Sequence, residues 1–223
     1  MEEVSPWLLL AMSGLVIVAL GVFAVLGTRR LERIPRTRLQ SFVEMLVSSL
    51  NNLAVDTIGP GAEKYTAFIG TIFVYIFAMN ALGLIPPLKS PTSNLSIIFP
   101  MAVVVFIMYN YYGVQKVGIV RYLKHFAGEP IWLAPLMLPI HLISELARPF
   151  SLSIRLFGNI FGEETILFVL AGITYVLIPY VVAIPTQFPI MLLALLTAFI
   201  QALVFTVLTT VYISLAVSAN EEH

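Results

Sequence analysis

Long apolar runs dominate this sequence and restrict what it can fold into. Of its 223 residues, 59% are hydrophobic and 11% are charged, and the mean hydropathy is +0.96. A water-soluble domain is only about 45–50% apolar and about 25% charged. Because a bilayer leaves no water to satisfy the backbone, helices are the simplest way for such runs to cross it. The sequence therefore predicts an all-α, polytopic membrane protein.

Five runs are long enough to cross a bilayer as helices, since a crossing needs roughly 20 apolar residues. They are Trp7–Thr28, Tyr65–Ile85, Leu95–Gly113, Ile131–Leu170 and Pro189–Ser218. At about 1.5 Å per residue, the last two exceed the roughly 30 Å of hydrocarbon. They are predicted to form long, steeply tilted, antiparallel helices. Pro139 and Pro149 can each kink the fourth, since proline removes a helical hydrogen bond.

An amphipathic helix is predicted between the first and second spans, because apolar residues recur there at helical spacing. The apolar set is Leu39, Phe42, Val43, Leu46, Leu50 and Leu53, and the polar set is Gln40, Ser41, Glu44, Ser48, Asn51 and Asn52. Such a helix lies along the cytoplasmic interface or packs on a partner subunit, and the two placements are compatible. Gly59-Pro60-Gly61 is expected to end it.

The basic residues predict the orientation of the chain. Five spans place the termini on opposite sides, and with the amino terminus outside, nine Lys and Arg face the cytoplasm while Lys89 alone faces outward. The nine are Arg29, Arg30, Arg33, Arg36, Arg38, Lys64, Lys116, Arg121 and Lys124. A cleaved secretory signal begins with positive charge, whereas Met1-Glu2-Glu3 opens this chain, so the first span is expected to be retained.

One membrane domain, 1–223, is expected. Residues 1–64 would hold the first span and the interfacial helix, residues 65–130 the second and third spans, and residues 131–223 the tilted hairpin with the functional site.

The two remaining basic residues lie inside the fourth run, on a polar stripe. Alternating steps of four and three place His141, Glu145, Arg148, Leu152, Arg155 and Asn159 on one side of the helix. Ionisable residues inside a membrane are costly and indicate function by default. An ion pair with Glu145, or a snorkel towards the interface, is the structural alternative for Arg148. Arg155 has no carboxylate one turn away, so its partner is expected on another chain.

Further candidates flank the stripe. Ser144 lies beside it, and Glu163 and Glu164 follow Arg155 by about 13 Å along the helix. The two glutamates either relay or attract cations or form a solvated helix end. Gln201, a lone amide on the last span, is predicted to make an interhelical hydrogen bond to the fourth run.

Several function classes are excluded by what the sequence lacks. It has no cysteine, no HExxH and no GxSxG motif, and its three histidines, His125, His141 and His223, are scattered. The scattered histidines and the lack of cysteine indicate no metal site. No basic tail or Gly-rich phosphate loop is present, so no nucleic-acid partner or nucleotide cofactor is expected. A self-contained enzyme site is not expected either.

The segment Ser151-Leu152-Ser153-Ile154-Arg155-Leu156-Phe157-Gly158-Asn159 strongly resembles subunit a of the F-type ATP synthases, the stator subunit that faces a rotating ring of c subunits. Asn80-Ala81-Leu82-Gly83-Leu84-Ile85-Pro86, Pro91-Thr92, Gln201 and the Glu-Glu-His end support the resemblance over nearly the whole chain.

The resemblance implies a mechanism in which Arg155 draws a ring carboxylate into its charged form and separates two aqueous half-channels. It implies a c-subunit ring and a b-subunit peripheral stalk as partners, and H⁺ or Na⁺ as the ion. The sequence shows no Arg/Ser-rich transit segment, so a bacterial plasma membrane is the expected location, although an organelle-encoded protein would look similar. The implied entry residues are Asn159, Glu164 and Gln201, and the implied exit residues are His141, Ser144 and Glu145.

The sequence also departs from the family at three positions. Many relatives carry glutamate in place of His141, and some carry an ionisable residue in place of Ala194. Glu163 stands where the family often has a small residue, and we expect it to replace the group missing at Ala194. An unchanged ion-entry rate in a Glu163→Gln variant would remove that hypothesis.

Two other classes of function compete with this interpretation. An ion-coupled secondary transporter is expected to show internal repeats, and the sequence shows no repeated half. A passive membrane scaffold is the second alternative, and it predicts that Arg155 is dispensable.

Overall fold

The computed structural model describes residues 6–28, 38–84, 90–119, 122, 134–177 and 184–218. Within these ranges the chain forms α-helices joined by short turns, and no strand occurs in them. The helices are α1 (Pro6–Thr28), α2 (Arg38–Ile58), α3 (Glu63–Leu82), α4 (Leu95–Val117), α5 (Ala134–Leu177) and α6 (Ile184–Ser218). A 3₁₀ turn, Pro91–Ser93, precedes α4. The all-α prediction is confirmed.

The surface of the protein is suited to lipid. In the part of the chain that the structure describes, three stretches are long and apolar enough to span a membrane, and a shorter apolar stretch lies in α1. The three are Glu63–Leu82, Leu95–Val117 and Met191–Ser218, and the shorter one is Leu10–Val25. Large side chains such as Val18 and Ile143 are 65% and 68% exposed. Leaving such a side chain in water instead of burying it costs about 1.5–3 kcal/mol, and the predicted polytopic membrane architecture is confirmed.

Helices α4, α5 and α6 alternate in direction. Contacts between α5 and α4 join Glu145 to Tyr109 and Phe150 to Phe99, and contacts between α5 and α6 join Arg148 to Tyr212 and Asn159 to Gln201. In both series, residue numbers rise along α5 as they fall along its neighbour. We call the two ends of this bundle the Ser90 end and the Gly118 end, after the residues beside the first and last turns of α4.

Helices α5 and α6 have the unusual lengths that were predicted. They contain 44 and 35 residues, or about 66 and 52 Å at 1.5 Å per residue. Pro139 and Pro149 lie inside α5.

Two glycines show why the chain turns and packs as it does. Gly118 ends α4 with φ +86°, a conformation that is costly for other residues, and its N–H donates to Val114 O at 2.9 Å. At Gly113, an added Cβ would lie 2.7 Å from Tyr122 Cε2 and 3.1 Å from Ala216 Cβ. Helices α4 and α6 therefore approach each other closely at the Gly118 end.

Helix α2 divides its apolar surface between two environments. Leu50 and Ala54 are 5% and 0% exposed against the bundle, whereas Phe42 and Met45 are 60% and 62% exposed. One edge packs on α3 and α6, and the other remains open. Gly59, with φ +94°, follows the helix as predicted.

One residue of α2 departs from the predicted amphipathic pattern. Gln40 was placed on the polar face, yet it is only 7% exposed. Its Nε2 donates to Glu44 Oε1 at 2.8 Å, which satisfies part of the hydrogen-bonding capacity of the buried amide.

Of the basic residues used for the orientation, the structure describes Arg38, Lys64 and Lys116. The other seven of that set lie outside the described residues.

Candidate functional site

The polar stripe runs along the rim of the packed face of α5. Leu152, Leu156 and Ile160 are at most 3% exposed and fix that face against its neighbours, whereas Arg155 and Asn159 are exposed. A side chain at the rim touches the bundle on one side and the surroundings on the other. The helical spacing predicted from the sequence therefore places Arg155 where a second molecule can reach it.

Arg155 itself is open. In the described part of the chain it makes no hydrogen bond and no ion pair. Ser151 beside it is exposed, and an added Cβ at Gly158 or Gly162 would meet nothing within 4 Å. Two small residues at this four-residue spacing permit close helix approach, and no described residue of this chain fills the space beside them. A permanent positive charge lies next to a surface with room for another helix.

One turn beyond Arg155, Asn159 Nδ2 donates to Gln201 Oε1 on α6 at 2.5 Å. Gln201 is 3% exposed, so its amide depends on this partner. The interhelical hydrogen bond predicted for Gln201 is confirmed. It joins α5 to α6 at the level where the stripe passes from Arg155 towards the Ser90 end.

On the other side of Arg155, Arg148 Nη1 and Glu145 Oε1 lie 2.5 Å apart, with 24% and 13% of their side chains exposed. This is the i, i+3 ion pair foreseen as the structural alternative. Tyr109 Oη on α4 donates to Glu145 Oε2 at 2.5 Å. The Arg148 Cζ atom lies 5.8 Å from the Tyr109 ring centroid and 5.1 Å from that of Tyr212 on α6. The pair is enclosed by three helices.

A second layer of polar groups supports this cluster. Tyr122 Oη donates to Asn110 Oδ1 at 2.7 Å, and Asn110 Nδ2 donates to Phe106 O at 2.8 Å. Burial raises the pKa of Tyr122 to about 12, with a further rise from the Glu145 carboxylate and an opposing effect of Arg148. The phenol therefore remains a donor at neutral pH.

The remaining predicted residues differ in how the structure describes them. His141 is half-buried one turn before Glu145, and Ser144 is exposed. The backbones of Glu163 and Glu164 belong to α5, but their side chains lie outside what the structure describes. The described residues contain no group of three or more His, Asp or Glu that could hold a metal ion.

Tyr109 and Tyr212 were missed by the sequence reasoning. A tyrosine in an apolar span signals that its hydroxyl needs a partner, and this signal was available. It does not identify the partner, because contacts between helices depend on packing that spacing within one helix does not reveal.

Taken along α5 from the Gly118 end to the Ser90 end, the stripe presents three different environments. First comes the compensated pair of Glu145 and Arg148, then the open cation of Arg155, then the amide pair of Asn159 and Gln201. The open cation attracts an anion, and amides of this kind can hydrogen-bond water.

Comparison with known proteins finds one family to which this chain is similar over most of its length. The family described as ATP synthase A chain matches residues 9–214. The ATP synthase subunit a of Protochlamydia amoebophila is 41% identical over 216 residues, which cover 93% of this chain and 79% of that protein. The ATP synthase subunit a of Aliarcobacter butzleri is 40% identical over 223 residues, or 98% of this chain and 93% of that one. That of Solidesulfovibrio magneticus is 42% identical over 196 residues, or 88% and 78%.

Proposed function

Because the chain belongs to the ATP synthase A chain family, we propose that it is the ion-conducting stator subunit of an F-type ATP synthase and that Arg155 is the residue that couples ion flow to rotation. The observation that carries the proposal is the open guanidinium of Arg155, which has no partner within the described chain and lies beside small residues. A carboxylate on a neighbouring helix is the partner that it lacks.

The chemistry of coupling follows from the two environments that a ring carboxylate meets. Facing lipid, the carboxylate must be neutral, because an isolated charge in hydrocarbon is costly. Facing Arg155, it prefers to be charged, since a nearby opposite charge favours ionisation. The carboxylate must therefore release its ion on one side of Arg155 and bind another on the other side. Each charge that crosses about 100 mV supplies about 2.3 kcal/mol.

Two offset half-channels deliver and remove the ion, which is H⁺ or Na⁺. The entry half-channel opens towards the Ser90 end, and we assign Asn159, Gln201, Glu163 and Glu164 to it. Support comes from the hydrogen bond between the first two, which sets a pair of amides one turn from Arg155. Glu163 takes the place of an ionisable group at position 194, where this chain has a buried alanine.

The exit half-channel opens towards the Gly118 end. We assign Ser144 and His141 to it, with Glu145 beside them. The exposure of Ser144 and the partial exposure of His141 support this route, because a path for ions must be reachable from outside the bundle.

The proposal extends to the assembly around the subunit. The chain is a single membrane domain without catalytic chemistry of its own, and its hairpin 131–223 carries the ion pathway. Its partners are a c-subunit ring and a b-subunit peripheral stalk in a bacterial plasma membrane. The amino terminus lies outside and the carboxyl terminus in the cytoplasm, as the distribution of Lys and Arg favours.

The decisive experiment compares ATP-driven ion pumping into inverted vesicles that carry the whole complex, with assembly checked on a native gel. Arg155→Ala is expected to assemble and to lose pumping altogether. Arg38→Ala is the matched control, because it removes an exposed arginine from α2, and it should pump normally. Both proton uptake and sodium uptake are recorded, so that the result does not depend on the ion.

Each outcome has a defined meaning. Assembly without pumping in Arg155→Ala supports the proposal and excludes a passive scaffold. Normal pumping in the same variant would make Arg155 a structural charge and reject the coupling role. A secondary transporter is excluded if ion uptake in the unmodified complex requires ATP and no added solute.

A further inference from the structure

Two arginines occupy one side of α5, and their surroundings are opposite. Arg148 and Arg155 are seven residues apart, which is about 10 Å along the axis and within about 20° around it. Arg155 is exposed and has no hydrogen-bond or ion-pair partner among the described residues. Arg148 is enclosed. Of the two arginines on the stripe, one is paired with a carboxylate of its own helix and the other is not.

Arg148 is held by contacts from three helices. It pairs with Glu145 on its own helix and lies over the rings of Tyr109 on α4 and Tyr212 on α6. Tyr109 also donates to the second oxygen of Glu145, and this tyrosine is only 1% exposed. An ion pair fixed in this way has no net charge. Without its carboxylate, Arg148 would remain a cation, because guanidinium is not deprotonated in proteins.

An uncompensated Arg148 would interfere with the proposed rotation. A ring carboxylate drawn towards Arg155 would meet a second cation about 10 Å away along α5. At an effective dielectric constant of about 20, two unit charges at that distance change an equilibrium constant by roughly tenfold. The ring would then have two competing positions of rest, and ion release would no longer be confined to one of them.

We infer that Glu145, held in place by Tyr109, compensates the charge of Arg148, so that Arg155 is the cation of the described stripe that remains open to a ring carboxylate. The inference rests on the proposed function. Glu145 acts as a fixed countercharge and not as a carrier of ions, and Tyr109 is a positioning residue that keeps the carboxylate on Arg148.

Other ionisable groups face this pair and bear on its pH dependence. Tyr109 and Tyr212 approach from α4 and α6, Tyr122 interacts electrostatically with both members, and His141 lies one turn earlier on α5. Variants are therefore compared with His141 and all three tyrosines retained.

The test is a charge cycle in the whole complex, with pumping in inverted vesicles normalised to the assembled complex. Glu145→Gln is expected to lower pumping about tenfold and to move the pH profile of pumping down by up to about one unit, because an added cation lowers the pKa of a nearby ring carboxylate. Arg148→Gln should cost less, since an orphaned carboxylate can neutralise itself by binding a proton.

The double variant Glu145→Gln with Arg148→Gln decides between the two roles of Glu145. Compensation predicts that pumping recovers to within about threefold of the unmodified complex and that the pH profile returns, because the two changes are coupled and not additive. If Glu145 carries ions, the double variant remains as defective as Glu145→Gln, and that result overturns the inference.

Poor assembly does not leave the question open. If Glu145→Gln fails to assemble, recovery of assembly in the double variant supports compensation, and failure of both rejects it. A loss of pumping in Glu145→Gln without a shift of the pH profile also rejects it. Arg155→Ala in the same vesicles separates the two proposals. Normal pumping in Arg155→Ala rejects the proposed function. If Arg155→Ala loses pumping and the double variant of Glu145 and Arg148 does not recover it, this inference alone is rejected.

Discussion

At the scale of single residues, the polar groups of α5 differ in the partners that they have. Asn159 shares one hydrogen bond with Gln201 across two helices, and Gln201 is almost fully buried. Interhelical hydrogen bonds in membranes are worth about 0.6–2 kcal/mol, which is too little to decide whether the subunit folds. Their larger effect is to fix the position of the residues beside Arg155.

Gln201→Leu is therefore expected to leave the amount of assembled complex nearly unchanged and to reduce ATP-driven pumping roughly fivefold, in line with the modest energy of such a bond. Asn159→Leu should give a similar loss, and the double variant should be no worse than either single one, because all three lack the same bond. Additive losses in the double variant would show that the two amides act separately.

Much of this residue-level organisation follows from the sequence. The stripe can be predicted because helical spacing alone brings Arg148, Arg155 and Asn159 to one side. The pair of Glu145 with Arg148 can also be predicted, because the two residues are three positions apart on the same helix. Tyr109 was not identified, since its contact to Glu145 spans 36 positions and depends on the way in which α4 packs on α5.

At the scale of helices, close packing and open surface are both marked by glycine. Gly113 lies in the tight contact of α4 with Tyr122 and Ala216, whereas an added Cβ at Gly158 on α5 would meet nothing within 4 Å. Glycine thus allows close packing between elements of the bundle in α4, and in α5 it lies at a surface that no described residue covers.

Gly113→Ala is predicted to destabilise the subunit by about 1–3 kcal/mol, because inserting a carbon into a packed contact forces its neighbours apart. Gly158→Ala is the matched control and should leave the amount of subunit in the membrane unchanged. The measurement is the quantity of the subunit in isolated membranes and its resistance to heat. Equal losses in both variants would contradict the packing that the structure describes.

Hydropathy predicted the helices but not the residues at which they begin and end. The second span was predicted as Tyr65–Ile85, and α3 runs over Glu63–Leu82, since an acidic residue in the first turn complements the helix dipole. The fourth run was predicted to begin at Ile131 and end at Leu170, yet α5 reaches Leu177. Apolar composition marks the stretch that can lie in hydrocarbon. It does not show where a helix that continues beyond the hydrocarbon begins or ends.

At the scale of the whole molecule, orientation is the property to test, because positive residues alone predict it. The chain contains no cysteine, so a single introduced thiol reports one position without background from this subunit. Ser96 and Gln115 are exposed at opposite ends of α4.

In intact cells, a membrane-impermeant maleimide should label Ser96→Cys and spare Gln115→Cys, because the Ser90 end is predicted to face outward. Inverted vesicles should show the opposite pattern. Labelling is read on the subunit after separation of the complex on a gel, and pumping by each variant confirms its assembly. The reversed pattern would show that the amino terminus is cytoplasmic.

Helix α5 is longer than a helix needs to be to cross the hydrocarbon, so the thickness of the bilayer affects how it lies in the membrane. Its 44 residues amount to about 66 Å, whereas a helix inclined by about 40° crosses 30 Å of hydrocarbon within roughly 39 Å. The excess strains the lipids around it, or leaves helix outside them, at a cost of fractions of a kcal/mol per Å. A thinner or thicker bilayer therefore favours a different tilt of α5, the helix that carries Arg155.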